Sequence, residues 1–193
     1  MTPTFRLTLL SALCTALAMP WAAVHAQTVL TPASERISDT AIHADYQAYE
    51  ATQGRIKALN DGGRRVRDYH LSKAQCWLDV SFHEYTRNDR SAFPQEALDQ
   101  SVRLIALMEQ KASPLPYDTP LVNGADKLRP DLWEATENWK TRDGFQCVAQ
   151  RVSCAEVELV HAGNEHKQQG WRHAKPYVQI AEDLLAQAEQ ESQ

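Results

Sequence analysis

Apolar residues recur at helical spacing along most of this chain, and helix-stopping residues separate the segments that carry them. The pattern predicts a helix from about Ser34 to Asn60, a second from about Arg64 to Arg87, and a third that begins at Pro94 and ends before Ser113. No stretch alternates apolar and polar residues between turns. The sequence therefore predicts an all-α fold without strands.

The second half of the chain repeats this organisation after an interruption. The segment Ser113–Pro130 is rich in proline and cannot stay helical for long, so it is predicted to be a loop. A short helix is expected from about Asp131 to Lys140, a long one from about Phe145 to His166, and a last one from about Arg172 to Glu189.

The two halves resemble each other. Laying the chain over itself aligns Cys76 with Cys154 and His83 with His161 at one common offset. This predicts one helical domain, residues 27–193, in which two helical hairpins are copies. The hairpins cover about 64–110 and 143–190, and the loop and short helix, 111–142, lie between them. The layout is similar to a tetratricopeptide-like stack of antiparallel helix pairs.

The first 26 residues have the features of a secretory signal peptide. Arg6 is followed by an apolar run from Leu7 to Met19, and the segment ends on small residues at Val24 and Ala26. The run is too short to span a bilayer, and no later segment is apolar enough to do so. We expect cleavage near Ala26–Gln27, no transmembrane segment, and export to the periplasm. The charges argue against nucleic acid as a partner, because the chain carries −5 with both signs interspersed.

Three cysteines remain after cleavage, in a compartment where disulfides persist. Cys147 and Cys154 cannot bond to each other within one straight helix, because residues seven apart are about 10.5 Å apart along its axis. The sequence therefore predicts a disulfide between Cys76 and either Cys147 or Cys154, which leaves one free thiol.

Cysteines and histidines also form columns at a spacing of seven. Cys76 and His83 share one helix face, and Cys147, Cys154 and His161 share another. If the two helices pack together, Cys76, Cys154, His83 and His161 could form a mixed metal or small-ligand site. Closely spaced motifs such as CxxC or HxxxH are absent. The alternative is that these histidines only pack on half-buried helix faces.

The proline-rich loop and the helix after it offer a candidate partner surface. Trp133 and Trp139 are either core residues or an exposed aromatic pair beside the loop. Together with Tyr117 and Leu121 of the loop, they are the residues predicted to bind a partner.

Three blocks, AQCWLD, CAEVELVHAGNE and GWRHAKPYV, belong to a stretch of about residues 34 to 188. This stretch resembles the helical region that precedes the peptidoglycan-binding domain in some OmpA family envelope proteins. The resemblance implies a helical periplasmic module of a Gram-negative envelope. The motif of the OmpA-like domain itself is absent, so direct binding of peptidoglycan is not supported.

The function expected from the sequence is a non-enzymatic interaction module without a cofactor. Its partner would be another envelope protein, at the inner face of the outer membrane. The alternative is an envelope protein that binds a small ligand or metal through the Cys and His columns.

Overall fold

The computed structural model describes residues 28–192, and the predicted signal peptide lies outside these residues. Within them the fold is all-helical, without strands. The six α-helices are α1 (Asp39–Asp61), α2 (Tyr69–Thr86), α3 (Phe93–Glu109), α4 (Pro130–Lys140), α5 (Phe145–Gln169) and α6 (Trp171–Glu191). A 3-10 turn, Val122–Gly124, interrupts the predicted loop. No helix of residues 28–192 is long and apolar enough to cross a membrane.

Local capping decides where the first two helices begin. The hydroxyl of Ser38 accepts a hydrogen bond from the backbone N–H of Ala41 and caps α1, so this helix starts at Asp39 rather than near Ser34. The carboxylate of Asp68 accepts from the N–H groups of His70 and Leu71, so α2 starts at Tyr69 rather than near Arg64. Both predicted starts were too early, because apolar spacing alone does not detect the capping residue.

Helices α2 and α3 pack against each other, and α5 packs against α6. Helices α2 and α5 lie side by side and run in the same direction. Lys73, early in α2, contacts Glu156, and Glu84, later in α2, contacts His161, which is later in α5. Helix α1 covers α2 and α3, and α4 lies against α5 and α6. The α2–α5 contact is therefore the centre of the molecule.

The core lies between α2, α3 and α5. Trp77 of α2, Leu98 and Ile105 of α3, and Leu159 of α5 are fully buried. Val66 lies in the range predicted for the second helix, but it precedes α2 and is 60% exposed. Burial of large apolar side chains such as Trp77 and Leu98 is the main source of stability in a domain of this size.

The loop after α3 is pressed directly onto α5 at Gly163. The backbone N–H of Asp126 donates to the carbonyl of Gly163 at 3.2 Å. A Cβ atom at Gly163 would lie 2.1 Å from the carbonyl oxygen of Asp126. This position therefore requires glycine for the close approach of the two backbones.

Candidate functional site

The disulfide links α2 to α5 between Cys76 and Cys154, whose Cα atoms are 5.5 Å apart. This selects one of the two predicted pairings. Cys147 is free and exposed. The predicted mixed site cannot use its two cysteines as ligands. Cys76 and Cys154 are bonded to each other, so neither can act as a thiolate.

The two histidines of the predicted site do come together. His83 and His161 have ring centroids 5.4 Å apart, and Glu84 lies beside both. Glu84 Oε1 is 2.9 Å from His161 Nε2 and 3.6 Å from His83 Nε2. Glu84 and His161 are buried, whereas the side chain of His83 is 46% exposed. We call His83, Glu84 and His161 the His–Glu–His cluster.

Side chains from three helices hold the buried member of this cluster. Phe93 of α3 stacks on the ring of His161, and Tyr177 of α6 also contacts this ring, with ring centroids 3.8 Å apart. The second ring nitrogen of His161, Nδ1, is 3.2 Å from Glu158 Oε2. His161 thus has a carboxylate at each ring nitrogen and little freedom to rotate.

Arg87 and Glu165 complete the charged surroundings. The Arg87 guanidinium lies 3.4 Å from Glu84 Oε1, 3.6 Å from Glu165 Oε2 and 2.9 Å from the Tyr177 hydroxyl, to which it donates. The other oxygen of the buried Glu165 side chain, Oε1, has no hydrogen-bond partner among residues 28–192.

The environment moves the pKa values of these groups in different directions. Burial would lower the pKa of His161, but its hydrogen bonds to Glu158 and Glu84 outweigh this and raise the pKa. Burial lowers the pKa of His83, and neighbouring His161 lowers it further. Burial and the nearby Glu84 raise the pKa of Glu165.

A second buried polar cluster lies at the other end of the α2–α5 contact. The ammonium group of Lys73 is fully buried, 3.0 Å from Glu156 Oε2, and it donates to the hydroxyl of Tyr69 at 2.8 Å. Lys140 of α4 reaches the other oxygen of Glu156 at 2.5 Å. Because Lys73 also donates to the carbonyl of Asp118 at 3.0 Å, this cluster ties the long loop to the core.

The predicted partner surface is only partly exposed. Trp133 and Trp139 are 8% and 3% exposed, so the prediction that they form a binding pair on the surface is wrong. Tyr117 and Leu121 are exposed. The tryptophans are buried because α4 places them against the core when it packs on α5 and α6.

A groove lies where the α1–α2 turn, the end of α3 and the start of α5 meet. It has a volume of about 760 Å³. Its lining includes the basic residues Arg64, Arg65, Arg67 and Lys111, together with Met108 and the free Cys147. Arg64 pairs with Asp68 at 3.1 Å, but no carboxylate of residues 28–192 pairs with Arg65, Arg67 or Lys111. We call this feature the basic groove.

Comparison of the chain with protein-family models, with curated proteins and with solved structures finds no match. The case for function therefore rests on the geometry above. Reasoning from the sequence missed Glu84 and Glu158, although each has a sequence signal: Glu84 follows His83, and Glu158 lies one helical turn before His161. The basic residues of the groove were not among the predicted site residues, and Lys111 is far from the arginines in sequence.

Proposed function

We propose that this protein is a non-enzymatic helical module, exported to the cell envelope, that binds an acidic segment of another protein in the basic groove. The observation that carries the proposal is the convergence of Arg65, Arg67 and Lys111, from two separate turns, on one groove without carboxylate partners. The chain as a whole carries −5, so most of its surface does not attract an acidic ligand. The positive charge of the groove therefore directs such a ligand to this one place.

The shape of the groove also favours a peptide. Met108, Ala58 and Leu59 provide apolar lining between the basic side chains. An extended or helical segment can place apolar residues against this lining while its carboxylates meet the guanidinium groups. The arginines are suited to this because each can form paired hydrogen bonds to one carboxylate.

Export and envelope location are supported by the signal-like residues 1–26 and by the Cys76–Cys154 bond, since disulfides of this kind persist in oxidising compartments. The pairing of α2 with α3 and of α5 with α6 supports the proposal that two related hairpins stack in a tetratricopeptide-like way. A relationship to the helical region of OmpA family proteins, at the inner face of the outer membrane, remains part of this proposal.

The direct test measures binding of a fluorescein-labelled oligoglutamate peptide to the exported protein by fluorescence anisotropy. We expect saturable binding that weakens as salt is raised. It should fall at least about tenfold in Arg65→Glu/Arg67→Glu/Lys111→Glu, because that change replaces three attractions with three repulsions. The matched control is Arg90→Glu/Arg172→Glu/Lys175→Glu, which makes the same change of charge at exposed residues outside the groove.

Cys147 provides an independent reporter, because it is the free thiol of the described chain and it lines the groove. Bound peptide should slow its reaction with a thiol reagent in the wild type and not in the groove variant. Equal binding by the groove and control variants would refute the proposal. In cells, a photo-crosslinking residue at Gln146 should then capture one defined envelope protein that the groove variant loses and the control variant keeps.

A further inference from the structure

Three side chains at the α2–α5 contact each bring one metal-ligating atom to the same place. The donor atoms of His83, Glu84 and His161 all lie within 4.8 Å of one another. Four ligands placed tetrahedrally at about 2.1 Å from an ion are about 3.4 Å apart. The Glu84–His161 and Glu84–His83 separations, 2.9 and 3.6 Å, are on either side of this value. The third separation, between the donor atoms of the two histidines, is at most 4.8 Å, so movement of the partly exposed His83 ring would bring all three ligands around an ion.

We propose that the His–Glu–His cluster binds one divalent transition-metal ion of the zinc class. Two imidazoles and one carboxylate form a donor set that suits zinc, and hard ions such as magnesium prefer oxygen ligands alone. The proposal is independent of the basic groove, since none of the three residues lines it.

Glu158 gives the site the support that metal-ligating histidines usually have. Its carboxylate accepts a hydrogen bond from Nδ1 of His161, which fixes the tautomer and turns Nε2 toward Glu84. Phe93 and Tyr177 both pack on the same ring. This preorganisation lowers the cost of binding, because the buried ligand does not have to be ordered when the ion enters.

The local charge favours a cation. The guanidinium of Arg87 lies near the carboxylates of Glu84 and Glu165, Glu158 lies beside His161, and His173 Nδ1 is 3.8 Å from Glu165 Oε2. With the histidines neutral, as ligation requires, the negative charges outnumber the positive one. A divalent ion would restore the balance in a place where burial makes unpaired charge costly.

An ion would enter from the exposed side of the cluster, and the residues that compete with it lie on the same side. The partly exposed ring of His83 opens the site to solvent. Arg87, 38% exposed, is the cation that now contacts Glu84. It can turn away toward Glu165, whose Oε2 is already 3.6 Å from it, when an ion binds. The ion thus competes with Arg87 at Glu84 and with the Tyr177 hydroxyl, which lies 2.9 Å from His83 Nε2.

The test is titration of the exported protein with zinc chloride alone, followed by isothermal calorimetry and native mass spectrometry. We expect one zinc ion per chain. His83→Ala should weaken binding at least about tenfold. Because His83 is partly exposed, this variant should keep the unfolding midpoint of the metal-free protein. His43→Ala, an exposed histidine of α1 outside the cluster, is the matched control and should bind like the wild type.

Two further variants separate a metal site from a merely structural cluster. Glu158→Gln should weaken zinc binding by about 10 to 100-fold, because it loosens the orientation of His161. Arg87→Gln should tighten zinc binding, because it removes a cation that competes for Glu84. If the cluster were only a structural ion-pair network, the same change would destabilise it. Cobalt substitution should give the intense visible bands of a four-coordinate ion. Absence of zinc binding in the wild type, or binding that His83→Ala leaves unchanged, would overturn the proposal.

Discussion

Cys76 and Cys154 are bonded to each other across 78 residues, and the ring of His83 contacts that of His161 at the same separation in sequence. The offset of 78 that aligns these residues in the sequence is therefore also the separation at which the two pairs meet between α2 and α5. One pair forms the disulfide, and the other belongs to the His–Glu–His cluster.

The disulfide closes a long loop, so it should contribute strongly to stability. Replacing both bonded cysteines, Cys76→Ala/Cys154→Ala, should lower the free energy of unfolding by about 2–5 kcal/mol. Urea denaturation of the exported protein measures this. Cys147→Ala removes a thiol of the same size from an exposed position and should change the free energy by less than about 0.5 kcal/mol. A loss of similar size in both variants would contradict the structural role of the bond.

Gly163 and Gly54 are both helical glycines, yet alanine should have opposite effects at the two positions. Gly163→Ala should destabilise the protein by about 1–3 kcal/mol or more, because its Cβ would overlap the backbone of Asp126. Gly54→Ala should stabilise it by about 0.5–1 kcal/mol, because nothing lies within 4 Å of that position in α1. Thermal melts of the two variants compare them directly. Stabilisation by Gly163→Ala would show that the loop does not lie on α5 as described.

Trp139 tests the correction to the predicted partner surface. Trp139→Ala should cost about 3–5 kcal/mol of unfolding free energy, because the side chain is buried. Leu121→Ala, which truncates an exposed residue of the same predicted surface, should cost about 0.5 kcal/mol or less. Urea unfolding gives both values. If Trp139→Ala left the free energy of unfolding unchanged, Trp139 would again be a candidate for the partner surface.

Most of the fold could be predicted from the sequence, because helical spacing and stop signals act locally. Helix α5 begins at Phe145 as predicted, and α4 begins one residue earlier than expected, at Pro130. The candidate sites could be predicted only in part. The columns suggested that His83 and His161 could meet. The burial of other faces depends on the path of the long loop, and that path depends on contacts such as Asp126 with Gly163. Spacing within one helix carries no information on such distant contacts.

The buried Glu156 should make stability depend on pH on the acid side. Burial would raise its pKa, but the ammonium groups of Lys73 and Lys140 outweigh this and hold the pKa below the usual value. A carboxyl group whose pKa is lower in the folded state stabilises the protein fully above its unfolded pKa of about 4.3, and this contribution is lost as the pH falls through the folded value. The free energy of unfolding should therefore decline below about pH 5.

Glu156→Gln isolates this contribution. At pH 7 the variant should lose about 3–5 kcal/mol, because Lys73 is left buried without its counter-ion. Its stability should also fall less steeply than that of the wild type between about pH 5 and pH 3, because the titrating carboxylate is gone. Glu137→Gln is the matched control: it removes an exposed carboxylate from the same Lys140 and should cost no more than about 1 kcal/mol. Urea unfolding across this pH range measures all three proteins, and parallel curves for the wild type and Glu156→Gln would show that this carboxylate does not set the acid limit.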